Sequence, residues 1–276
     1  MLLSSLKKFK TDHMKHVLVP IGSTKNAQNT LQYAIDFAQE INAQLYVFRA
    51  YSAIAKAGTI VNMNAIIARE TNLYLRTLVN SVDVKNVDVK LIAAKGNLVD
   101  NVESIDEQLG IDLIIVGTRS NSIKEEIFLG KTAGKLVKQT EIPVLTIPEG
   151  YKFSPINNIL MAFKSGVVKS KTALRPLHIF VDKFKSKVHF LLVKTPNYRE
   201  EDLVIDKNLV KIQSTLTITE NATTFQGVLA HINTVNPDML CVIRRKKGFF
   251  KKLWEKNTVL KAEFSTSVPL LILKGK

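Results

Sequence analysis

One stretch of the chain gathers residue types that could hold a phosphate. An unbroken apolar run, Leu113-Ile114-Ile115-Val116, stops at Gly117 and gives way to a polar loop. Gly130-Lys131-Thr132 then opens an amphipathic segment reaching to about Gln139, and Val144-Leu145-Thr146-Ile147, introduced by Pro143, closes the unit. A β-rich run ended by glycine suits a strand buried on both faces of a parallel sheet. Strand, polar loop, helix N-terminus and strand is an arrangement that collects phosphates, because the first-turn N–H groups and the positive end of the helix dipole face the mouth of the sheet. Lys131 adds a cation there and Thr132 a hydroxyl. A Walker-type loop would need glycine five positions before Gly130, where Glu125 stands, and Glu125 and Glu126 would repel phosphate.

A second candidate is the basic run Arg244-Arg245-Lys246-Lys247-Gly248-Phe249-Phe250-Lys251-Lys252-Leu253-Trp254. It follows an apolar run directly, where α/β sheets open their ligand mouth. Arg244, Arg245, Lys246, Lys247, Lys251 and Lys252 could meet phosphates while the aromatics stack on bases. The same aromatics could equally pack on a neighbouring helix. The five histidines lack metal-ligand spacing, and no cysteine cluster accompanies them. No Gly-x-Ser-x-Gly elbow occurs, so no catalytic nucleophile is apparent.

These residues need a scaffold, and its pattern is regular. Strands are expected at 16–21, 44–50, 87–94, 112–117 and 144–147, with helices at 26–41, 63–82, 98–109 and 130–139 between them. Alternating strands and helices imply right-handed crossovers and a parallel sheet covered by helices. A Pro/Gly-containing connection at 149–156 follows, and the pattern restarts. Strands at 158–163, 187–193, 216–219, 238–243 and 268–273, with a helix at 223–235, repeat the earlier types. Asp112 to Pro143 spans 31 positions, and so does Asp238 to Pro269. The second copy is shorter, mainly between its second and third strands. Two copies of one unit suggest a built-in pseudo-dimer. The expected organisation is a leader at 1–14, one domain at 15–148, a linker at 149–156 and a shorter domain at 157–276.

Charge separates the copies. Residues 1–150 hold 17 Lys and Arg against 15 Asp and Glu, a net of +2; residues 151–276 hold 22 against 9, a net of +13. Such a basic half invites anionic partners. The single cysteine, Cys241, sits in an apolar run and reads as a small buried hydrophobe in a reducing, cytoplasmic setting. No apolar run approaches a membrane span, and the first residues lack the core of a secretory signal.

The strand VLVPI, then DLIIVGT, LGKTAGKLV and IPVLTI, in that order, resemble the universal stress protein family. The resemblance covers residues 15–148 well and 156–274 weakly. It implies two tandem α/β domains of the adenine nucleotide α-hydrolase-like type, each a mainly parallel five-stranded sheet with helices on both faces, paired through their last strands. It also implies stress-response binding without catalysis, through protein partners, with a homodimer as a further option. Nucleotide-binding members carry Asp after the first strand and Gly-x2-Gly-x9-Gly-Ser/Thr after the fourth. Carried over here, the site comprises Pro20, Ile21, Gly22, Val116, Gly117, Ser120, Gly130, Lys131 and Thr132, with ATP or AMP as ligand. The chain departs from the pattern at Gly22, which replaces the acid, and at Ser120, whose Cβ restricts close approach of phosphate to backbone. In the second copy Gly117 maps to Ile243, Ser120 to Lys246, Gly130 to Lys256 and Lys131 to Asn257, and Lys164 stands at the acid position. No nucleotide loop is evident there. Two readings lead: a regulatory binding protein with a degraded nucleotide loop in its first half, or a nucleic-acid or anion-binding module using 244–252; a weak ATPase is a distant third, for which no general base is visible.

Overall fold

The strand pattern resolves into one continuous sheet. In the computed structural model ten strands lie in the order β3-β2-β1-β4-β5-β10-β9-β6-β7-β8. The structure describes residues 13–22, 26–52, 63–118, 130–168, 171–244 and 268–275. The first half contributes β1 (His16–Pro20), β2 (Gln44–Tyr51), β3 (Val89–Lys95), β4 (Leu113–Gly117) and β5 (Val144–Ile147). The second contributes β6 (Asn158–Phe163), β7 (Lys187–Lys194), β8 (Gln213–Glu220), β9 (Met239–Arg244) and β10 (Leu270–Lys274). Neighbours within each half pair in parallel. The halves join where β10 runs antiparallel to β5, Leu271 opposite Leu145. The thin third strand expected at 216–219 is a full β8, so the short half keeps all five strands.

Helices cover both faces, as continuous apolar strands require. Alternation along each strand sorts the core: Val17 and Val19 of β1 point to one layer and Leu18 to the other. The first layer is roofed by α1 (Ala27–Ile41), α2 (Met63–Asn80) and α5 (Arg175–Phe184), the second by α3 (Leu98–Leu109), α4 (Gly130–Gln139) and α7 (Thr224–Val235). Helix α5 was not anticipated. Its signals are Pro176 in the first turn and Leu177, Phe180, Val181 and Phe184 at helical spacing. Phe180 stacks on Phe37 of α1 with ring centroids 5.3 Å apart, which packs the two halves together. Phe153, in the connection at 149–156, inserts against Tyr33 and Phe37.

The repeat extends to individual hydrogen bonds. Asp112 accepts from the N–H groups of Lys15 and His16, and Asp238 from those of Asn157 and Asn158. Each carboxylate ties the start of its half's first strand to the start of its fourth. Ile114 N–H donates to the Pro143 carbonyl, and Leu240 N–H to that of Pro269, both at 2.9 Å. The helix before the fourth strand ends on a left-handed residue in both halves, Gly110 at φ 68° and Asn236 at φ 46°.

The copies differ where the second was expected to be short. Residues 52–88 carry α2 across β2 and β3, whereas residues 195–212 hold only a 3-10 turn at Glu200–Leu203 and the single-turn α6 (Lys207–Val210). Leu216 and Ile218 of the edge strand β8 are correspondingly exposed, as are Val204 and Val210.

Asp112 also receives Arg175 of α5 at 2.9 Å, and Arg175 reaches the His13 carbonyl at the same distance. Both side chains of the pair are largely buried, so removing one leaves an uncompensated charge. Asp112→Ala should lower stability by about 3 kcal/mol. Urea denaturation checks this, and a loss below about 1 kcal/mol would show the pair to be effectively solvated.

Candidate functional site

The first half reverses its winding between the parallel strands β1 and β4: from β1 the chain moves outward to β2 and β3, then returns to the other side as β4. In such sheets the crevice beyond the carboxyl ends of those two strands is the ligand position. Pro20 ends β1, with Ile21 and Gly22 just beyond it. Val116 and Gly117 end β4 beside them. Val116 is buried in the core, so it offers the crevice backbone only. Gly130, Lys131 and Thr132 form the first turn of α4, whose N-terminus faces the same crevice by topology. The fold thus brings Pro20, Ile21, Gly22, Val116, Gly117, Gly130, Lys131 and Thr132 to one end of the sheet. Ser120 lies outside the described residues.

Gly117 owes its small size to packing. A Cβ there would stand 2.2 Å from Thr30 Oγ1 and 3.0 Å from Asn26 Nδ2. Helix α1 therefore rests directly on the end of β4, held further by Asn26 Nδ2 donating to the Thr118 carbonyl at 3.2 Å. Neither Asn26 nor Thr30 was singled out from sequence, because an asparagine before a helix reads as an ordinary cap. The first turn of α1 has no side-chain cap, and the first turns of α1 and α4 carry no acidic residue. Both helix ends therefore keep their positive potential. Asn26 is 4% exposed, and its Oδ1 has no hydrogen-bond partner among the described residues. A buried acceptor left unpaired costs about 1–3 kcal/mol.

Two further residues flank the crevice. Tyr74 of α2 donates its hydroxyl to the Gly22 carbonyl at 3.2 Å. Arg49, near the end of β2, lays its guanidinium 4.1 Å from the centre of the Tyr74 ring, a cation–π contact.

The equivalent end of the second half is built differently. Lys164 is exposed there. Gly166 donates its N–H to the Asp202 carbonyl at 2.9 Å and accepts from Asp206 N–H at 3.0 Å, which lays residues 202–206 against the end of β6. A Cβ on Gly166 would meet the Val204 carbonyl at 2.5 Å. Of the basic run only Arg244 is described; Arg245, Lys246, Lys247, Lys251 and Lys252 lie outside the described residues. Arg244 bonds the carbonyls of Val137 and Lys138, the last turn of α4, and pairs with Glu141 at 3.2 Å. Lys274, its neighbour on β10, donates to the Val137 carbonyl at 2.7 Å. Arg244 brings a positive charge to the C-terminus of a helix in the other half, and Lys274 adds a hydrogen-bond donor there. Cys241 is fully buried and burial pushes its thiol up, which keeps it protonated and inert. Among the described residues no group of His, Cys, Asp or Glu could hold a metal ion, and no helix is long and apolar enough to cross a membrane.

Comparison with known proteins agrees with this architecture. Residues 13–148, the first half of the molecule, match the model of the universal stress protein family, and this segment belongs to that family. A universal stress protein of Methanocaldococcus jannaschii is 20% identical over 156 residues, covering 55% of this chain and 92% of that protein. Universal stress protein G of Shigella flexneri is 29% identical over 73 residues, 26% of this chain and 51% of its own. A universal stress protein structure from Archaeoglobus fulgidus superposes with a TM-score of 0.69 at 17% identity, covering 96% of this chain and 97% of that one. A Pseudomonas aeruginosa protein described as functionally unknown gives a TM-score of 0.60 at 15% identity, covering 96% and 94%. At such identities the superpositions show a shared fold along both halves.

Lys274 yields a pH signature. Burial, with Arg244 nearby, pushes its ammonium down to about 7 from 10.5. Between those values the unfolded chain holds a proton that the native chain lacks, so stability rises with pH across that window. The slope from this group approaches about 1.4 kcal/mol per pH unit near pH 8–9. Thermal or urea unfolding between pH 6 and 9 should show the rise in the wild type and a flatter profile in Lys274→Met. Parallel profiles would contradict the assignment.

Proposed function

We propose that the protein is a non-enzymatic regulatory binding protein of the stress response whose first half takes one adenine nucleotide, ATP or AMP, and whose second half takes none. The observation that carries this reading is the asymmetry of two equivalent crevices. The second spends its polar groups on the chain itself: Gly166 on Asp202 and Asp206, Arg244 and Lys274 on the last turn of α4. Among the described residues, the first keeps two helix first turns without an acid and a buried acceptor without a donor. Family membership supports the stress-response role.

In this reading the phosphates lie at the first turn of α4, where Gly130 allows backbone approach and Lys131 and Thr132 supply a cation and a hydroxyl. Arg49 and Tyr74 close the side of the crevice toward β2. With Gly22 in place of an acid, and Ser120 in place of a glycine, binding is weaker than a complete motif would give. The basic half then serves the architecture through Arg244 and Lys274, and protein partners meet the surface that the two halves share. The nucleic-acid alternative retains the net charge of +13, but its one described cation, Arg244, is committed to α4.

Calorimetric titration of the full chain with ATP and with AMP tests the proposal. The expected result is about one site per chain, weakened at least about tenfold by Gly130→Asp, which sets a carboxylate against phosphate at a helix N-terminus, and unchanged by Lys164→Ala. Two equal sites, or no binding at millimolar nucleotide, would overturn it.

A further inference from the structure

Asn26 is oriented against its usual role. An asparagine preceding a helix normally turns its side-chain oxygen onto a first-turn N–H. Here the side chain makes no cap bond, and the amide instead crosses from α1 to β4, with Nδ2 donating to the Thr118 carbonyl at 3.2 Å. That bond fixes which amide atom is which, because only the NH2 group can meet a carbonyl. Oδ1 is thereby committed as an acceptor, buried and without a partner among the described residues; Nδ2 lies 3.0 Å from where a Gly117 Cβ would stand, which sets the amide over the end of β4. Thr30 does not supply the donor, since its hydroxyl bonds the Asn26 main-chain carbonyl at 2.9 Å. Nor does Tyr74, whose hydroxyl goes to Gly22.

The chemistry of the missing partner follows. Helix N-termini attract anions, but a phosphate group brings chiefly acceptor oxygens and cannot satisfy another acceptor. A ligand that suits the whole crevice must carry a hydrogen-bond donor close to its phosphates. A sugar hydroxyl is such a donor.

Resting on the nucleotide reading above, we propose that Asn26 Oδ1 accepts a hydrogen bond from a hydroxyl of the ligand's sugar, and so selects ribonucleotides over phosphates that lack one. Asn26 is then the residue through which the first half distinguishes a nucleotide from inorganic polyphosphate. Thr118 positions it by holding its Nδ2.

The test compares ATP, 2′,3′-dideoxy-ATP, purine riboside triphosphate and inorganic tripolyphosphate on the full chain by calorimetry. A site built to bond a hydroxyl rejects the analogue lacking it, because its own polar group is left unpaired. Dideoxy-ATP and tripolyphosphate should bind at least about tenfold more weakly than ATP, and purine riboside triphosphate equally well. Asn26→Ala should weaken ATP while leaving dideoxy-ATP unchanged, which brings their ratio to about one. Should Asn26→Ala fail to fold, the wild-type series decides by itself. Equal affinity for ATP and dideoxy-ATP would overturn the role of Asn26 while the nucleotide reading stands. Selective loss of purine riboside triphosphate would overturn it in favour of a contact to the base amine. Absence of binding by every nucleotide would overturn both readings together.

Discussion

The antiparallel pairing of β5 with β10 is the constraint on which the rest of the molecule depends. Each half alone would end in an edge strand rich in Leu, Ile and Val, with unpaired backbone groups and apolar residues on both faces. Such an edge invites uncontrolled pairing. Joining the two edges satisfies both, and the antiparallel sense places the mouth of one half beside the base of the other. That is why Arg175, at the start of α5, can reach Asp112 and His13, and why Arg244 and Lys274 can cap α4. The inter-half contacts are consequences of the strand pairing.

This geometry also explains the divergence of the two crevices. The second-half crevice lies against the last turn of α4, so its cations found carbonyl partners and became structural. Its shortened connection at 195–212 folded over the end of β6 through Gly166. Among the described residues the first-half crevice has no such neighbour. Loss of a helix in the second half had a second effect, the exposure of Leu216 and Ile218 on β8. The described cations at the mouth of the second half thus serve the junction between the halves.

Much of this was legible in the sequence because the repeat is written in strands. The equal 31-residue intervals from Asp112 to Pro143 and from Asp238 to Pro269 correspond to matched hydrogen bonds in the two halves, since a buried parallel strand tolerates little change in length or register. Pairing through the last strands, which the family resemblance implied, is present as β5 with β10. Helix α5 escaped notice although its apolar spacing and Pro176 were visible, because the lysines around it dilute the pattern. The role of Arg244 was not readable, since its partners are main-chain carbonyls over a hundred positions away, in the other half. Gly117 looked like a phosphate glycine, and its steric reason, Thr30, lies on a different element. Asn26 could not be recognised before its amide was seen to turn toward Thr118.

We infer that two copies of one unit divide their tasks, ligand in the first half and architecture in the second. Amide hydrogen exchange of the full chain with and without saturating ATP tests it most directly. Added protection is expected at Asn26–Thr30, Gly117–Thr118 and the first turn of α4, with exchange at 164–168 and 202–206 unchanged. Equal protection of both crevices, or protection confined to the second half, would contradict it.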